Sequence, residues 1–286
     1  MARLASQEKL GYYKTPLSII KRIKQSFIIE PGSRFLDPCC GDGEALSVLM
    51  GNANVETLAV ELEKGRYLSA KEKLDRVHWA DAIVEVKMSP GSVDLLFLNP
   101  PYDYDDGEEY RKRERLELFF LKKYLSTIAQ KGWLIFIIPV QTLRLYDIRV
   151  MLSRLTDLSV FRFPDGEFEK FKQIIIIGRK KRLTRDVEKK NLRRLNSFIL
   201  DEDLSSWPTT DEIPTIQISK NTREKFLFDA LHMEYSCGNI TAHYAEYQGR
   251  FYFGHRRTSH GYSDMAREII TLFNQKGGHA NHENKN

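Results

Sequence analysis

The chain has 286 residues, 42% hydrophobic and 29% charged, with a net charge of +5. That is an ordinary soluble composition with room for one large domain and a small appendage. No run approaches the roughly 20 apolar residues of a membrane span, and Met1 to Leu10 lacks the apolar stretch of a signal peptide, so a cytoplasmic protein is expected.

In chain order, the first predicted feature is Gly11-Tyr12-Tyr13-Lys14-Thr15-Pro16, where Thr15 is placed to cap a helix whose first residue is Pro16. Ser33 to Leu36 is a short strand candidate. It runs into Asp37-Pro38-Cys39-Cys40-Gly41-Asp42-Gly43 and then into Glu44 to Met50, which has helical composition. Strand, glycine turn and helix form the first half of a nucleotide-binding unit. Gly41 and Gly43 let the backbone turn tightly and let a ligand approach its N–H groups. No Gly-Lys-Ser or Gly-Lys-Thr follows, which argues against a phosphate loop. Asp37 at the mouth of the turn would repel a pyrophosphate and attract an α-ammonium, which favours S-adenosylmethionine over NAD or ATP. Val55 to Val60 ends at Glu61, about 20 residues beyond the glycines, where such folds place the carboxylate that binds ribose hydroxyls. Val77 to Ala80 ends at Asp81, whose carboxylate could accept from the amino group of an adenine. The residues that follow, Leu62 and Ala82, are assigned to the cofactor as well. Cys39 and Cys40 read as small residues of the loop. With Cys237 they cannot all pair, and none forms a C-x-x-C.

Val93 to Leu98 is an apolar run of buried-strand length, and Asn99-Pro100-Pro101-Tyr102 follows it directly. The exocyclic amine of adenine is a poor nucleophile because its lone pair is delocalised into the ring. It needs acceptors that hold its N–H bonds and turn the lone pair toward an electrophile. Asn99 offers a side-chain carbonyl, Pro100 a backbone carbonyl on a stiff Pro-Pro unit, and Tyr102 a flat face for stacking. The competing reading is a proline-rich turn that closes a core strand.

Asp103 to Glu109 is acidic, and Arg111-Lys112-Arg113 with Arg115 opens a predicted helix. Those carboxylates disfavour a phosphate backbone unless they move or pair with the arginines. A helix to about Gln130, a strand from Gly132 to Pro139, a helix through Leu155, and the pair Leu158 to Phe163 and Gln173 to Arg179 complete the alternation. The short last connection predicts an antiparallel hairpin at the sheet edge. Arg179-Lys180-Lys181-Arg182, with Arg185, Lys189, Lys190, Arg193 and Arg194, could track phosphates beside the pocket, or could be a solvated face. His255 and His260 flank Arg256 and Arg257, which repel a cation, so no metal site is expected. The fold class is therefore α/β: a Rossmann-like, mostly parallel seven-stranded sheet over residues 1–182. Residues 183–286 are expected to form a small basic C-terminal region for substrate or partner binding. It would hold a hairpin between Tyr235 and Phe253 and a disordered tail from Gly277.

DPCCGDG, the acidic strand ends at Glu61 and Asp81, and NPPY together resemble the class I S-adenosylmethionine-dependent methyltransferases, specifically the gamma arrangement of DNA adenine-N6 methylases. A nearer likeness is to an uncharacterised bacterial family of methylase-like proteins. Its members share a tyrosine-x-threonine-proline start, an aspartate-proline-cysteine loop and a phenylalanine-rich segment before the last strand. The resemblance covers roughly residues 10–182. It implies that Tyr13, Thr15 and Pro16 close over the methionine end of the cofactor, with Asp37, Pro38, Cys39, Gly41, Gly43 and Asn99 around it. It further implies that an aromatic ahead of the last strand packs on the flipped-out base, Phe168 first and Phe171 second.

The expected activity is transfer of a methyl group to the N6 of adenine in nucleic acid, DNA before RNA, with no metal. An RNA base or a protein glutamine is the alternative substrate, and a non-catalytic cofactor-binding recognition subunit is the alternative of another class. About 100 residues is small for target recognition. Either recognition is minimal, a protein partner or a homodimer supplies it, or the substrate is not a specific duplex site.

Overall fold

The computed structural model describes residues 14–102, 115–201, 203–222 and 224–230, and the backbone of three further strands at 232–235, 241–247 and 250–256. Tyr13, the acidic loop with Arg111 to Arg113, Cys237, His260 and the tail from Gly277 lie outside the described residues.

Helix α1 (Leu17–Gln25) and strand β1 (Phe27–Ile29) lead into β2 (Ser33–Asp37), α2 (Glu44–Met50), β3 (Val55–Glu61), α3 (Lys64–Lys71), β4 (Arg76–Trp79), β5 (Val86–Met88) and β6 (Val93–Leu98). Beyond the NPPY segment come α4 (Leu116–Tyr124), β7 (Ile128–Pro139), α5 (Tyr146–Ser153), β8 (Thr156–Arg162), α6 (Glu167–Phe171), β9 (Gln173–Arg179), α7 (Arg185–Leu200), β10 (Ile216–Ile218) and β11 (Phe228–Ala230). Strands β12 (His232–Tyr235), β13 (Thr241–Tyr247) and β14 (Arg250–Arg256) form an antiparallel meander where a hairpin is expected.

Seven strands make the central sheet in the order β4-β3-β2-β6-β7-β9-β8. All run parallel except β9, which is antiparallel to both neighbours. Strands β2 and β6 are buried at every residue, as strands covered on both faces must be. The closing hairpin forms, but its second strand is not at the edge. Ile174 to Ile177 are buried to within 3%, and β9 inserts between β7 and β8, leaving the less apolar β8 outermost. The change of strand order between β2 and β6 opens a crevice at the carboxyl ends of the strands, where open α/β sheets bind ligands.

Residues beyond 182 pack on the central sheet. Asn191 on α7 donates to the carbonyls of Ser153 and Leu155, and Trp133 donates through Nε1 to the carbonyl of Gln217 at 3.0 Å. Strand β10 pairs with β1, and β11 pairs with β5, so residues through Ala230 cover short strand edges that would otherwise be open. Among the described residues no helix is long and apolar enough to cross a membrane, and no cluster of His, Cys, Asp and Glu could hold a metal.

Candidate active site

The register of the sheet brings the ends of β2, β3, β4 and β6 to one side, so that Asp37, Glu61, Asp81 and Asn99 all sit at carboxyl ends. Asp37 is 2% exposed, and one of its oxygens accepts from the N–H of Cys39 at 3.0 Å. Burial raises its pKa to about 7, with a smaller push from Glu61. Pro38 is buried behind it. Gly41 and Gly43 both have positive φ, +58° and +76°. A Cβ on Gly43 would also lie 3.0 Å from the Ala70 Cα of α3, so this turn requires glycine for both conformation and space.

Glu61 is buried and already engaged. It accepts from the N–H of Gly41 at 2.9 Å and of Glu63 at 2.8 Å, and it pairs with the Arg66 guanidinium at 2.8 Å. It therefore fastens the glycine turn to the second strand, and ribose hydroxyls would have to share it with Arg66. Asp81 folds back on the N–H groups of Ile83 and Val84, at 2.7 and 3.2 Å. The carbonyl of Ala82 accepts from the buried Tyr124 hydroxyl at 2.6 Å. Leu62 is half exposed, and its carbonyl accepts from Trp79 Nε1, so its side chain can form an apolar wall. Lys14 pairs with Asp42 and Glu44, closing the entry to the turn.

Thr15 does not cap α1. Pro16 occupies the cap position and accepts from the N–H groups of Ile19 and Ile20 through its carbonyl, while no side chain caps the helix. The Thr15 hydroxyl is buried and accepts instead from Asn99 Nδ2 at 2.8 Å. Its own O–H is left to donate, which suits a carboxylate of a bound ligand. Cys39 is more than a small residue, because its thiol lies 3.2 Å from the Asn99 carbonyl and joins the glycine turn to NPPY. Burial drives both Cys39 and Cys40 well above the usual thiol range, so they are thiols, not thiolates. Pro100 is buried and Pro101 partly so. Tyr102 donates its hydroxyl to Asn99 Oδ1 and accepts from Gln173 Nε2, the latter at 3.1 Å.

Two sets of expected substrate contacts change. Phe168 is 8% exposed and belongs to the hydrophobic core, whereas Phe171 is 37% exposed. The ring with a face to offer is the second choice, because α6 turns Phe168 inward. Arg179, Lys180 and Lys181 lie away from the pocket: β9 runs antiparallel, so Gln173 faces Pro139 at the site and Arg179 faces Trp133 toward the other end of β7. There Arg179 donates to the carbonyl of Lys131, and Lys180 to those of Ser126 and Ile128. Arg115 is also committed, bound to the fully buried Glu117 carboxylate at 2.6 Å.

Sequence reasoning does not single out Gln173, Arg66 or Glu117. An arginine five residues past a strand-end carboxylate is the usable sign for Arg66, and a lone amide heading an all-isoleucine run is the sign for Gln173. Nothing in its neighbourhood marks Glu117.

An uncharacterised methyltransferase family (DUF6094) matches residues 1–215 of the chain. No curated protein matches it. Among solved structures, a putative class I S-adenosylmethionine-dependent methyltransferase from Listeria monocytogenes is 14% identical. It covers 68% of this chain and 74% of its own, with a TM-score of 0.47. A second putative S-adenosylmethionine-dependent methyltransferase from that organism is 15% identical over 58% of this chain and 99% of its own, at a TM-score of 0.44. The tRNA (m1A58) methyltransferase TrmI from Aquifex aeolicus is 16% identical over 62% of this chain and 74% of its own, at 0.42. None of these likenesses bears on the substrate.

Proposed function

The chain belongs to the uncharacterised methyltransferase family DUF6094, and from that premise we propose that it transfers a methyl group from S-adenosylmethionine to the N6 of adenine in nucleic acid, DNA before RNA. The residues present suit the cofactor. A buried carboxylate, Asp37, has no cation beside it among the described residues and would take the α-ammonium. The Thr15 hydroxyl has a proton to give to the α-carboxylate. Glu61 and Asp81 end the two strands that would line the ribose and adenine. When bound, S-adenosylmethionine supplies an electrophilic methyl group on a sulfonium.

The observation that carries the proposal is the orientation of Asn99. Its Nδ2 is held on Thr15 and its Oδ1 on the Tyr102 hydroxyl, so the amide cannot turn over without breaking both bonds. An amide oxygen has two lone pairs, so Oδ1 can also receive an N–H of the substrate amine. The Pro100 carbonyl would take the second N–H, the Tyr102 ring would lie along one face of the base, and the exposed Phe171 is the ring offered to the other. Holding both N–H bonds turns the nitrogen lone pair toward the methyl carbon. As the N–C bond forms, the C–S bond breaks, and the amine then gives one proton to water. A base in duplex DNA must leave the stack to reach this geometry.

The test offers labelled S-adenosylmethionine with single-stranded DNA, duplex DNA, RNA and a protein extract, followed by nucleoside and amino-acid analysis. N6-methyladenine in DNA is the expected product. Label confined to RNA or to a protein glutamine would move the substrate and keep the site. Cofactor binding with no transfer to any of the four would overturn the enzyme reading in favour of a recognition subunit.

A further inference from the structure

Gln173 is the first residue of β9, 3% exposed, and stands beside Pro139 at the site end of the sheet. Its Oε1 is buried and accepts from no described donor. Core packing therefore does not account for an amide here, since leucine would fill a similar volume without leaving a polar atom unmet. What the amide does make is a bond from Nε2 to the Tyr102 hydroxyl oxygen at 3.1 Å.

That bond has a direction, and the direction propagates. A phenol has one proton. With its oxygen receiving the Gln173 N–H, the proton is turned to another acceptor, and here it goes to Asn99 Oδ1. Asn99 must then present Nδ2 to the other side, where Thr15 Oγ1 receives it at 2.8 Å. The opposite polarity is equally self-consistent: an acceptor at 173 would draw the phenol proton, Asn99 would turn Nδ2 toward Tyr102, and Oδ1 would be lost to Thr15. We propose that Gln173 is a positioning residue that sets the orientation of the Asn99 amide through the Tyr102 hydroxyl. It rests on the reading of Asn99 as the group that orients the substrate amine, and it deepens that reading by naming what aims it.

The experiment uses the full chain with Gln173→Leu, Gln173→Glu, Tyr102→Phe and the double variant Tyr102→Phe/Gln173→Leu. Two readouts run together: methyl-transfer kinetics with the cofactor varied up to saturation, and the side-chain amide signals of Asn99 by 15N NMR, which need no substrate. Gln173→Leu is expected to lower kcat about tenfold with KM for the cofactor unchanged, the scale of one lost hydrogen bond. In the Tyr102→Phe background the same change should cost less than about twofold, and the Asn99 amide signals should move in the first background only. Gln173→Glu should fall below Gln173→Leu, because a carboxylate takes the phenol proton. Its kcat relative to wild type should recover as pH falls and the acid regains a proton to donate.

Equal cost of Gln173→Leu in both backgrounds, or unmoved Asn99 signals, would overturn the proposal. If the wild-type protein methylates no nucleic acid, the proposed function fails, and the NMR comparison alone still decides whether Gln173 aims Asn99.

Discussion

The two ends of the central sheet treat buried charge in opposite ways. At the end where the strands begin, Asp94 of β6 is fully buried, yet it accepts from the N–H of Arg34 and of Asn221 and from the Thr222 hydroxyl, at 2.9, 2.7 and 3.1 Å. Arg34 is as well served, donating to Glu56 and to the Ser92 carbonyl and lying 3.6 Å from the Phe226 ring centre. At the other end Asp37 is almost as buried and is met, among the described residues, by the N–H and thiol of Cys39 in its own turn and by no cation. A cavity of about 420 Å³ opens at the first end, lined by Arg34, Glu56, Asp75 and Lys220 among others, but there Arg34 and Glu56 pair with each other and Asp75 accepts from Thr57. Emptiness is a poor guide to a ligand site in this fold. A buried charge that the protein itself does not match is a better one.

The sharpest way to test that contrast is Asn99→Ala, which removes the preorganised acceptor at the matched-only-by-ligand end. Turnover should drop by roughly two to three orders of magnitude with cofactor affinity nearly intact. Activity near wild type would end the proposed role. The mirror experiment is Asp94→Ala at the opposite end. It strands two backbone N–H groups and a hydroxyl, so urea unfolding should show a loss of about 3 kcal/mol while cofactor binding to the folded fraction is unchanged. A loss of cofactor affinity instead would erase the distinction between the ends.

Next comes pH. The folded pKa of Asp37, about 7, lies above the usual carboxylate value of 3.8, so burial favours its neutral form. Its contribution to the stability of the ligand-free protein is fullest in acid and is lost as pH rises through that window. Cofactor binding has the opposite sign, because an α-ammonium needs the ionised carboxylate. Calorimetry should show affinity rising up to about tenfold per pH unit below about 7 and then levelling. A flat profile would mean that Asp37 does not receive the ammonium. The smallest effect belongs to Lys181→Ala with Arg182→Ala, beside the strand end that Arg179 and Lys180 close. Nucleic-acid affinity measured by anisotropy should stay within about twofold, since that end does not face the pocket. A larger drop would restore the phosphate track.

The sequence made the parallel sheet legible because its long strands are long apolar runs: Val93 to Leu98 and Gln173 to Arg179 admit few other readings. The glycine turn and NPPY were legible because their residue types are unusual at those places. What stayed hidden was non-local. Strands of three residues such as β1, β5, β10 and β11 carry too little periodicity to separate from loop, and their partners are far along the chain. The insertion of β9 between β7 and β8 is a choice of neighbour that no local pattern encodes. In the site, Thr15 had two acceptable uses for its hydroxyl, and only the fold puts Asn99 within reach of it. Phe168 and Phe171 differ by one helical turn, and which of them faces inward depends on where α6 sits.

The parallel pairing of Phe27–Ile29 with Ile216–Ile218 carries a consequence for how the molecule is made. The catalytic sheet lies entirely between those two partners in the chain. During synthesis from the N-terminus, β1 emerges before the sheet and waits with an open hydrogen-bonding edge until residue 216 has been released. Closing a loop of that size is entropically slow, and contacts so distant in sequence form late. The β1 edge thus stays unpaired until the whole central sheet has been made.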